Sequence, residues 1–181
     1  MKLFGWLRSK PRDRGGNAVA AWRRKWTEAI EADGQDPGSL REQLETLAAP
    51  GVDVEMELEM LDALEQLRAA QREAAAGALP IVETHHRVIG HDTWHFTAPV
   101  SLPSDEHQAT GRLLLTSARA VFVGAGRTAA TPWHAVHEIA RIDRDLLLVR
   151  ADRSPAAHFR FNTYGDAVLC AFLAGRLKRA R

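Results

Sequence analysis

The sequence is poor in cysteine and in long apolar runs. Cys170 is the one cysteine among 181 residues, so the chain can form no internal disulfide and no cysteine-ligated zinc site. A free thiol suits a reducing compartment. The longest apolar run near the start, residues 3–7, is shorter than the roughly 7–15 residues of a secretory h-region, and no run approaches the ~18–20 residues of a membrane span. We therefore expect a cytoplasmic protein.

A surplus of charge of one sign is also missing. Lys and Arg number 24 and Asp and Glu 23, giving a net charge of +1, so the chain as a whole is not built to bind a polyanion. The hydrophobic fraction of 45% and the charged fraction of 26% are those of an ordinary folded protein rather than a disordered one. The abundance of Ala, and of Arg over Lys, is typical of a GC-rich bacterial genome.

The first part of the chain is predicted to be helical. Residues 1–16 form a basic, amphipathic tail and linker, and apolar residues recur at steps of three and four in three segments, 17–33, about 37–49 and 53–76. The second helix begins at Pro37 or, by capping-box spacing, at Ser39. The apolar stripes are Val19, Trp22 and Trp26; Leu40, Leu44 and Leu47; and Leu58, Leu61, Leu64 and Leu67, widened by Met60. These stripes must cover each other, the rest of the protein or a second chain.

After Pro80 the pattern changes to short strands separated by turns. Alternation and β-branched or aromatic content predict seven strands, at 92–100, 112–116, 120–123, 127–131, 136–142, 146–149 and 157–161. In the first of them Trp94 and Phe96 are expected on one side. A final helix is capped by Thr163, with Asp166 three positions later, and buries Val168, Leu169, Phe172 and Leu173. Strands and turns at this spacing indicate a sandwich or barrel.

One segment resembles a known family. The order Gly111-x-Leu113-x-Leu115-Thr116-x-x-Arg119-x-x-Phe122-x-Gly124 is similar to the start of bacterial pleckstrin-homology-like (PH-like) and GRAM-like domains, in which a polar turn with Thr and Arg joins two strands. Asp92 stands where that group often has an acidic residue, and Thr131-Pro132-Trp133 resembles its "polar–Pro–apolar" strand. The resemblance covers about residues 81–178. It implies a strongly bent seven-stranded β-barrel capped by the C-terminal α-helix, and roles in binding lipid head groups, binding peptides or scaffolding.

Few residues suggest chemistry. His85, His86, His91 and His95 are close in sequence, and His91 and His95 would share a strand face, but no Cys and no His-Glu-x-x-His motif completes a zinc site. Cys170 has no evident base. Ser101, Ser104 and Ser117 lack a Gly-x-Ser-x-Gly context. We expect no catalytic residues, no metal and no cofactor, and keep a His-based metal-dependent enzyme as a remote alternative.

The N-terminal tail carries the candidate binding residues. Aromatic and apolar side chains interleave with basic ones there, a composition that suits an anionic membrane interface; the candidates for lipid or partner binding are Lys2, Phe4, Trp6, Leu7, Arg8 and Lys10. The alternative is an anchoring segment that packs on the helices or the barrel. The loop of residues 101–110 is acidic and has no Lys or Arg, which argues against a phosphoinositide site at the barrel mouth. A dense basic stripe with aromatics is also missing, which argues against nucleic acid.

The sequence thus predicts an α+β protein with three parts: the tail at 1–16, a helical region at 17–80 and a PH-like/GRAM-like barrel with its helix at 81–181. Its expected function is that of a non-enzymatic binding or adaptor protein, whose barrel presents a strand edge or a groove beside the terminal helix to a protein partner, or which self-associates. The alternative is a peripheral membrane module at the inner face of the cell membrane, anchored by its tail.

Overall fold

Four helices and seven strands follow one another in the order expected from the periodicity. The computed structural model describes residues 14–32, 36–49, 51–77, 79–82, 92–124 and 126–180. The helices are α1 (Arg14–Glu31), α2 (Pro37–Ala48), α3 (Glu55–Ala75) and α4 (Tyr164–Arg179). The strands are β1 (Trp94–Ser101), β2 (Thr110–Thr116), β3 (Arg119–Gly124), β4 (Arg127–Pro132), β5 (Glu138–Ile142), β6 (Asp145–Val149) and β7 (Pro155–Phe161), and a short 3-10 helix, Trp133–Ala135, lies between β4 and β5.

The chain divides into two compact units, Met1–Leu61 and Asp62–Arg181, and the division falls within α3. The three-part division expected from the sequence, with boundaries after residues 16 and 80, stays a prediction. Each unit has its own buried residues, and each is described by itself below.

In the first unit, two indole rings fix α1 against its neighbours. Trp22 and Trp26 are buried, as their shared face predicts, and each indole N–H donates to a backbone carbonyl: Trp22 to Leu40 at 2.9 Å and Trp26 to Met60 at 2.5 Å. A buried indole keeps its apolar contacts only if its N–H finds a partner. The carboxylate of Glu57 is buried too, and it accepts from Arg23 Nε at 2.6 Å, so the buried charge is paired.

In the second unit, all seven strands form one antiparallel sheet in the order β4-β3-β2-β1-β7-β6-β5. The seven strands and the α+β class are confirmed. The sheet is not closed: within the described residues β4 and β5 are its two edges. β1 pairs with β7 over only two residue pairs, Val100–Phe161 and Ser101–Arg160, so the sheet bends sharply there and encloses a core.

That core is lined by alternate residues of the strands and by one face of α4. Phe159 and Phe161 face inwards while Arg160 is exposed, as the alternation predicts. From α4 the contributors recur at steps of three and four: Ala167, Cys170, Leu173, Ala174 and Leu177.

The predicted buried face of α4 is partly wrong. Val168 and Leu173 are buried, but Leu169 and Phe172 are only half-buried. Both partly buried side chains still pack against the core, whose α4 members include the small residues Ala167 and Ala174.

Another expectation that fails is that Trp94 and Phe96 share a side of β1. The pairing of β1 with β2 shifts register between these two residues, which marks a β-bulge, and a bulge reverses the alternation beyond it. Phe96 lies in the main core, whereas Trp94 packs with Leu114 and Val121 in a separate cluster. Residues 79–82 help to cover that cluster, since Val82 N donates to Trp94 O at 2.9 Å.

One further boundary and the burial of one residue differ from expectation. The strand predicted from residue 136 begins at Glu138, because Trp133–Ala135 forms a 3-10 turn whose Trp133 is buried, its indole N–H donating to Thr116 O at 2.9 Å. Leu58, placed in the apolar stripe of α3, is 47% exposed.

Candidate functional site

The residues that carry the family resemblance build the β2–β3 turn. Thr116 is fully buried, and its hydroxyl accepts from the backbone N–H groups of Ala118 at 3.1 Å and Arg119 at 3.0 Å. Asp92 accepts from Thr116 Oγ1 at 3.3 Å and forms an ion pair with Arg119 Nε at 3.2 Å. These residues hold a turn together, so their role in this chain is structural.

Opposite that turn, the strand pair closes over two glycines. Gly111 and Gly124 face each other across β2 and β3, and the ring of Phe122 lies against both. A Cβ at Gly111 would fall 2.3 Å from Val123 O and 2.8 Å from Gly124 Cα. Glycine is needed at these positions because a Cβ would have no space. With glycine there, the Phe122 ring can lie at the inner surface near β4.

A groove opens where the two halves of the sheet stop pairing. Since β1 and β7 pair only at residues 100–101 and 160–161, no strand among the described residues lies beside the first residues of β7 on that side. β4 lies across from them, and the space between has a volume of about 230 Å³. It is lined by Leu102, Ser104, Asp105, Phe122, Arg127, Ala129, Thr131 and residues 155–159.

β4 presents its inner face to this groove. Ala129 pairs with Phe122, so Ala129 is on the core side of the sheet, together with Arg127 and Thr131 two positions away on either side. On a covered strand such residues would be buried, yet residues 127–130 are all exposed. The floor is apolar, made by Phe122 and Phe159, which are themselves buried.

One end of the groove is polar because the β1–β2 loop is tied across it. Asp105 forms an ion pair with Arg127 at the start of β4 and accepts from the backbone N–H of His107 at 3.0 Å. Ser104 hydrogen-bonds with His158 Nδ1 of β7 at 3.2 Å. The β1–β2 loop, which is acidic in sequence, thus pairs the carboxylate of Asp105 with Arg127 in the groove.

Ser104 contacts His158, and His158 lies near Asp145, which is the spatial order of a Ser-His-Asp hydrolase triad. The distances, however, differ from those of a triad. His158 Nε2 is 3.7 Å from Asp145 Oδ2, beyond hydrogen-bond distance. Both oxygens of Asp145 accept from Arg160, at 2.8 Å each, and this hydrogen bonding, chiefly, lowers the pKa of Asp145. A carboxylate held by a guanidinium is poorly placed to orient and stabilise an imidazolium as a triad requires.

The predicted tail residues and most of the predicted histidine cluster lie outside the described residues. They are the tail candidates Lys2, Phe4, Trp6, Leu7, Arg8 and Lys10, and the histidines His85, His86 and His91. His95 is buried and its Nδ1 is 2.8 Å from Pro80 O. Across the described ranges no three His, Cys, Asp or Glu side chains come together in a way that could hold a metal ion.

Cys170 points into the core rather than towards a substrate. Its side chain is fully buried, and burial raises the pKa of its thiol well above the usual value, with the charge of Asp166 adding to the effect. A thiolate is the reactive form of cysteine, so this thiol is held inert.

Sequence reasoning did not single out the groove. The segment 127–132, Arg-Thr-Ala-Ala-Thr-Pro, has no large apolar residue at its odd or at its even positions. This composition is the signal in the sequence that neither face of the strand is covered. The residues that face each other across the groove are distant in sequence.

In the part of the chain that is described, no helix is long and apolar enough to cross a membrane.

The architecture is PH-like. One antiparallel sheet of seven strands bends around a core that the C-terminal helix enters, as the sequence resemblance implies. The narrower GRAM-like assignment and a bacterial origin stay predictions.

Comparison with known proteins gives similar structures but no sequence match. No protein-family model matches the chain, and neither does any curated protein. Among similar solved structures is the C-terminal domain of an unknown protein from Leishmania infantum, with a TM-score of 0.41 and 11% identity over 48% of this chain and 84% of that chain.

Two other similar structures contain DH/PH domains of PDZ-RhoGEF. One is their complex with GTP-γ-S-activated RhoA, with a TM-score of 0.41 and 12% identity over 92% of this chain and 54% of that chain. The other is the DH/PH fragment with human RhoA, with a TM-score of 0.40 and 11% identity over 90% and 55%. The present chain spans about half the length of these two.

Proposed function

We propose that this protein is a non-enzymatic interaction module that binds an extended segment of a protein partner along β4. The observation that carries the proposal is β4 itself: it is an edge strand with residues 127–130 exposed on both faces, beside a groove of about 230 Å³. An edge strand leaves backbone N–H and C=O groups without ladder partners, and an added strand satisfies them.

The groove defines what the added segment would carry. Alternate side chains of a strand next to β4 share the face of Ala129 and point towards Phe122 and Phe159. The floor of the groove is apolar, while its end at Ser104, Asp105 and Arg127 is polar. We therefore expect a segment with an apolar side chain level with Ala129 and a polar side chain two residues nearer to Arg127.

The ends of β4 limit pairing to a short, defined stretch. Arg127, charged and held by Asp105, stands at one end, and Pro132 stands at the other. Charge and proline are the devices by which natural edge strands avoid indiscriminate pairing. The accessible stretch is therefore about four residues long, which suits a linear motif.

The surroundings of the terminal helix favour β4 over a groove beside α4. One face of α4 lies in the core. Elsewhere it meets the second half of α3, since Gln66 lies against Gly165 and Arg176 donates to Ala74 O at 3.3 Å. Near β5, Lys178 donates to His137 O. A ligand at α4 would compete with these contacts, whereas a ligand at β4 displaces none of them.

A displayed library of random 12-residue peptides tests this function. Peptides selected on the full chain should lose binding to Ala129→Trp, which fills the groove. They should keep it with Ala130→Trp, a change at the adjacent exposed residue on the opposite face. Peptides that bind both variants alike would place the interaction elsewhere, and a library that yields no specific binder would count against a peptide-binding module.

A second proposal is favoured by the tail sequence. We propose that Phe4, Trp6 and Leu7, with Lys2, Arg8 and Lys10, bring the protein to an anionic membrane from the cytoplasm. Aromatic side chains partition to the membrane interface, and basic side chains are attracted by its negative surface potential. This role is compatible with peptide binding at β4, because the two use different residues.

A further inference from the structure

The first unit, Met1–Leu61, has an apolar groove of its own. It lies between α2 and the first half of α3 and has a volume of about 100 Å³. Leu44, Ala48, Val54, Leu58 and Leu61 line it, with Arg41 and Glu45 at its rim. Leu58 is 47% exposed. An apolar groove with a half-exposed leucine is a surface that another element can cover.

Contacts between α1 and α3 place the chain that precedes α1 near this groove. Arg23 pairs with Glu57, the residue before Leu58, and the indole N–H of Trp26 donates to Met60 O. α1 starts nine residues before Arg23, about 13 Å at 1.5 Å per residue. The start of α1 therefore lies about 13 Å along the helix from a contact with the residue next to Leu58.

The residues that precede α1 are long enough and have suitable chemistry. From residue 7 to Arg14 the chain can span up to about 23 Å at ~3.3 Å per residue, which exceeds the length of α1 that precedes Arg23. Phe4, Trp6 and Leu7 match an apolar groove. Asp53 and Glu55, on either side of Val54, are exposed and complement the charge of Arg8 and Lys10.

We propose that residues 3–7 of this chain dock into the groove between α2 and α3. Leu58, Val54 and Leu44 contact the apolar side chains of the tail, and the carboxylates at the start of α3 face its basic residues. Docking is intramolecular, so it does not depend on protein concentration, and high salt weakens it without abolishing it because the apolar contacts persist. This site is independent of β4.

Trp6 reports on the docking. Trp22, Trp26, Trp94 and Trp133 are buried, and the difference in emission between the full chain and Trp6→Phe isolates the signal of Trp6. We expect that signal to be blue-shifted and protected from acrylamide, relative to a synthetic peptide of residues 1–13.

Leu58→Gln should remove that protection, while its matched control, Ile142→Gln, changes an exposed apolar residue of β5 and should leave it intact. If acrylamide quenches Trp6 in the full chain as strongly as in the peptide, the proposal is overturned. Protection from acrylamide that survives Leu58→Gln would overturn it as well. Protection lost on dilution would assign the groove to the tail of a second copy, which also overturns intramolecular docking. None of these readouts changes with Ala129→Trp, so this inference and the β4 proposal can fail separately.

Discussion

At the scale of single residues, close packing between β2 and β3 leaves no room at Gly111. Gly111→Ala should lower the free energy of unfolding by about 1–3 kcal/mol, because the added Cβ meets backbone atoms that cannot move aside. Gly175→Ala is the control in α4, where the nearest atom is 4.0 Å away; it should raise stability by up to about 1 kcal/mol through helix propensity. Urea unfolding measures the free energy of unfolding of both variants. Equal changes for Gly111→Ala and Gly175→Ala would show that the contact between β2 and β3 is not tight.

Asp145 should make stability depend on pH in acid. Its hydrogen bonds from Arg160 are the largest cause that lowers its pKa below the usual 3.8. A carboxyl with a lowered folded pKa stabilises the protein above its unfolded pKa, and this contribution is lost as pH falls through the folded pKa. Asp145→Asn should therefore flatten the loss of stability below about pH 4.

Asp143→Asn is the matched control for that experiment. Asp143 lies two residues away at φ 52°, a conformation that Asn tolerates well, so this change removes a neighbouring carboxyl while leaving the hydrogen bonds between Asp145 and Arg160 in place. If both variants show the same acid limb as the parent, the Asp145–Arg160 pair makes no net contribution to folding.

At the scale of elements, the cap of α4 was readable from sequence and can be tested. Thr163 Oγ1 accepts from Asp166 N at 3.1 Å, the bond that the spacing of these residues predicts. Thr163→Ala should cost about 1 kcal/mol of stability, and Asn162→Ala, at the exposed residue before it, should cost less than half of that. A loss for Asn162→Ala as large as for Thr163→Ala would mean that the side-chain cap is unimportant.

Element types were predictable because most elements here follow simple periodicities. The Trp22 and Trp26 stripe, the Phe159 and Phe161 alternation and the Thr163 cap are local signals, and each is confirmed. Trp94 was misplaced because a β-bulge is set by the pairing of two strands, which alternation within one strand does not contain. Leu58 was misassigned since periodicity identifies an apolar face without showing whether a neighbour covers it.

At the scale of the whole molecule, the candidate site was the hardest feature to foresee. The β4 groove exists because β1 and β7 pair over only two residue pairs, and it joins Leu102, Phe122, Ala129 and Phe159 from separate strands. No motif in the sequence marks such a gap in pairing. The tail residues, by contrast, stand out in sequence through composition alone.

Vesicle co-sedimentation of the full chain addresses the tail directly. Trp6→Ala with Arg8→Ala should weaken binding to anionic vesicles at least fivefold, because a basic residue near such a surface contributes about 1 kcal/mol and Trp6 adds interfacial contact. Ile142→Ala with Arg141→Ala removes a comparable apolar and basic pair from β5 and should leave binding unchanged. If the tail variant pellets as the parent does, the tail is not a membrane anchor.

The same assay connects the membrane to the groove between α2 and α3. The groove and a bilayer would compete for Phe4, Trp6 and Leu7, so releasing the tail should favour the membrane. Leu58→Gln should therefore increase the fraction that pellets with anionic vesicles, whereas Ile142→Gln should not. An increase lost again on adding Trp6→Ala would show that the groove restrains the tail. A fraction unchanged by Leu58→Gln, together with tail-dependent pelleting, would mean that the membrane alone holds these residues.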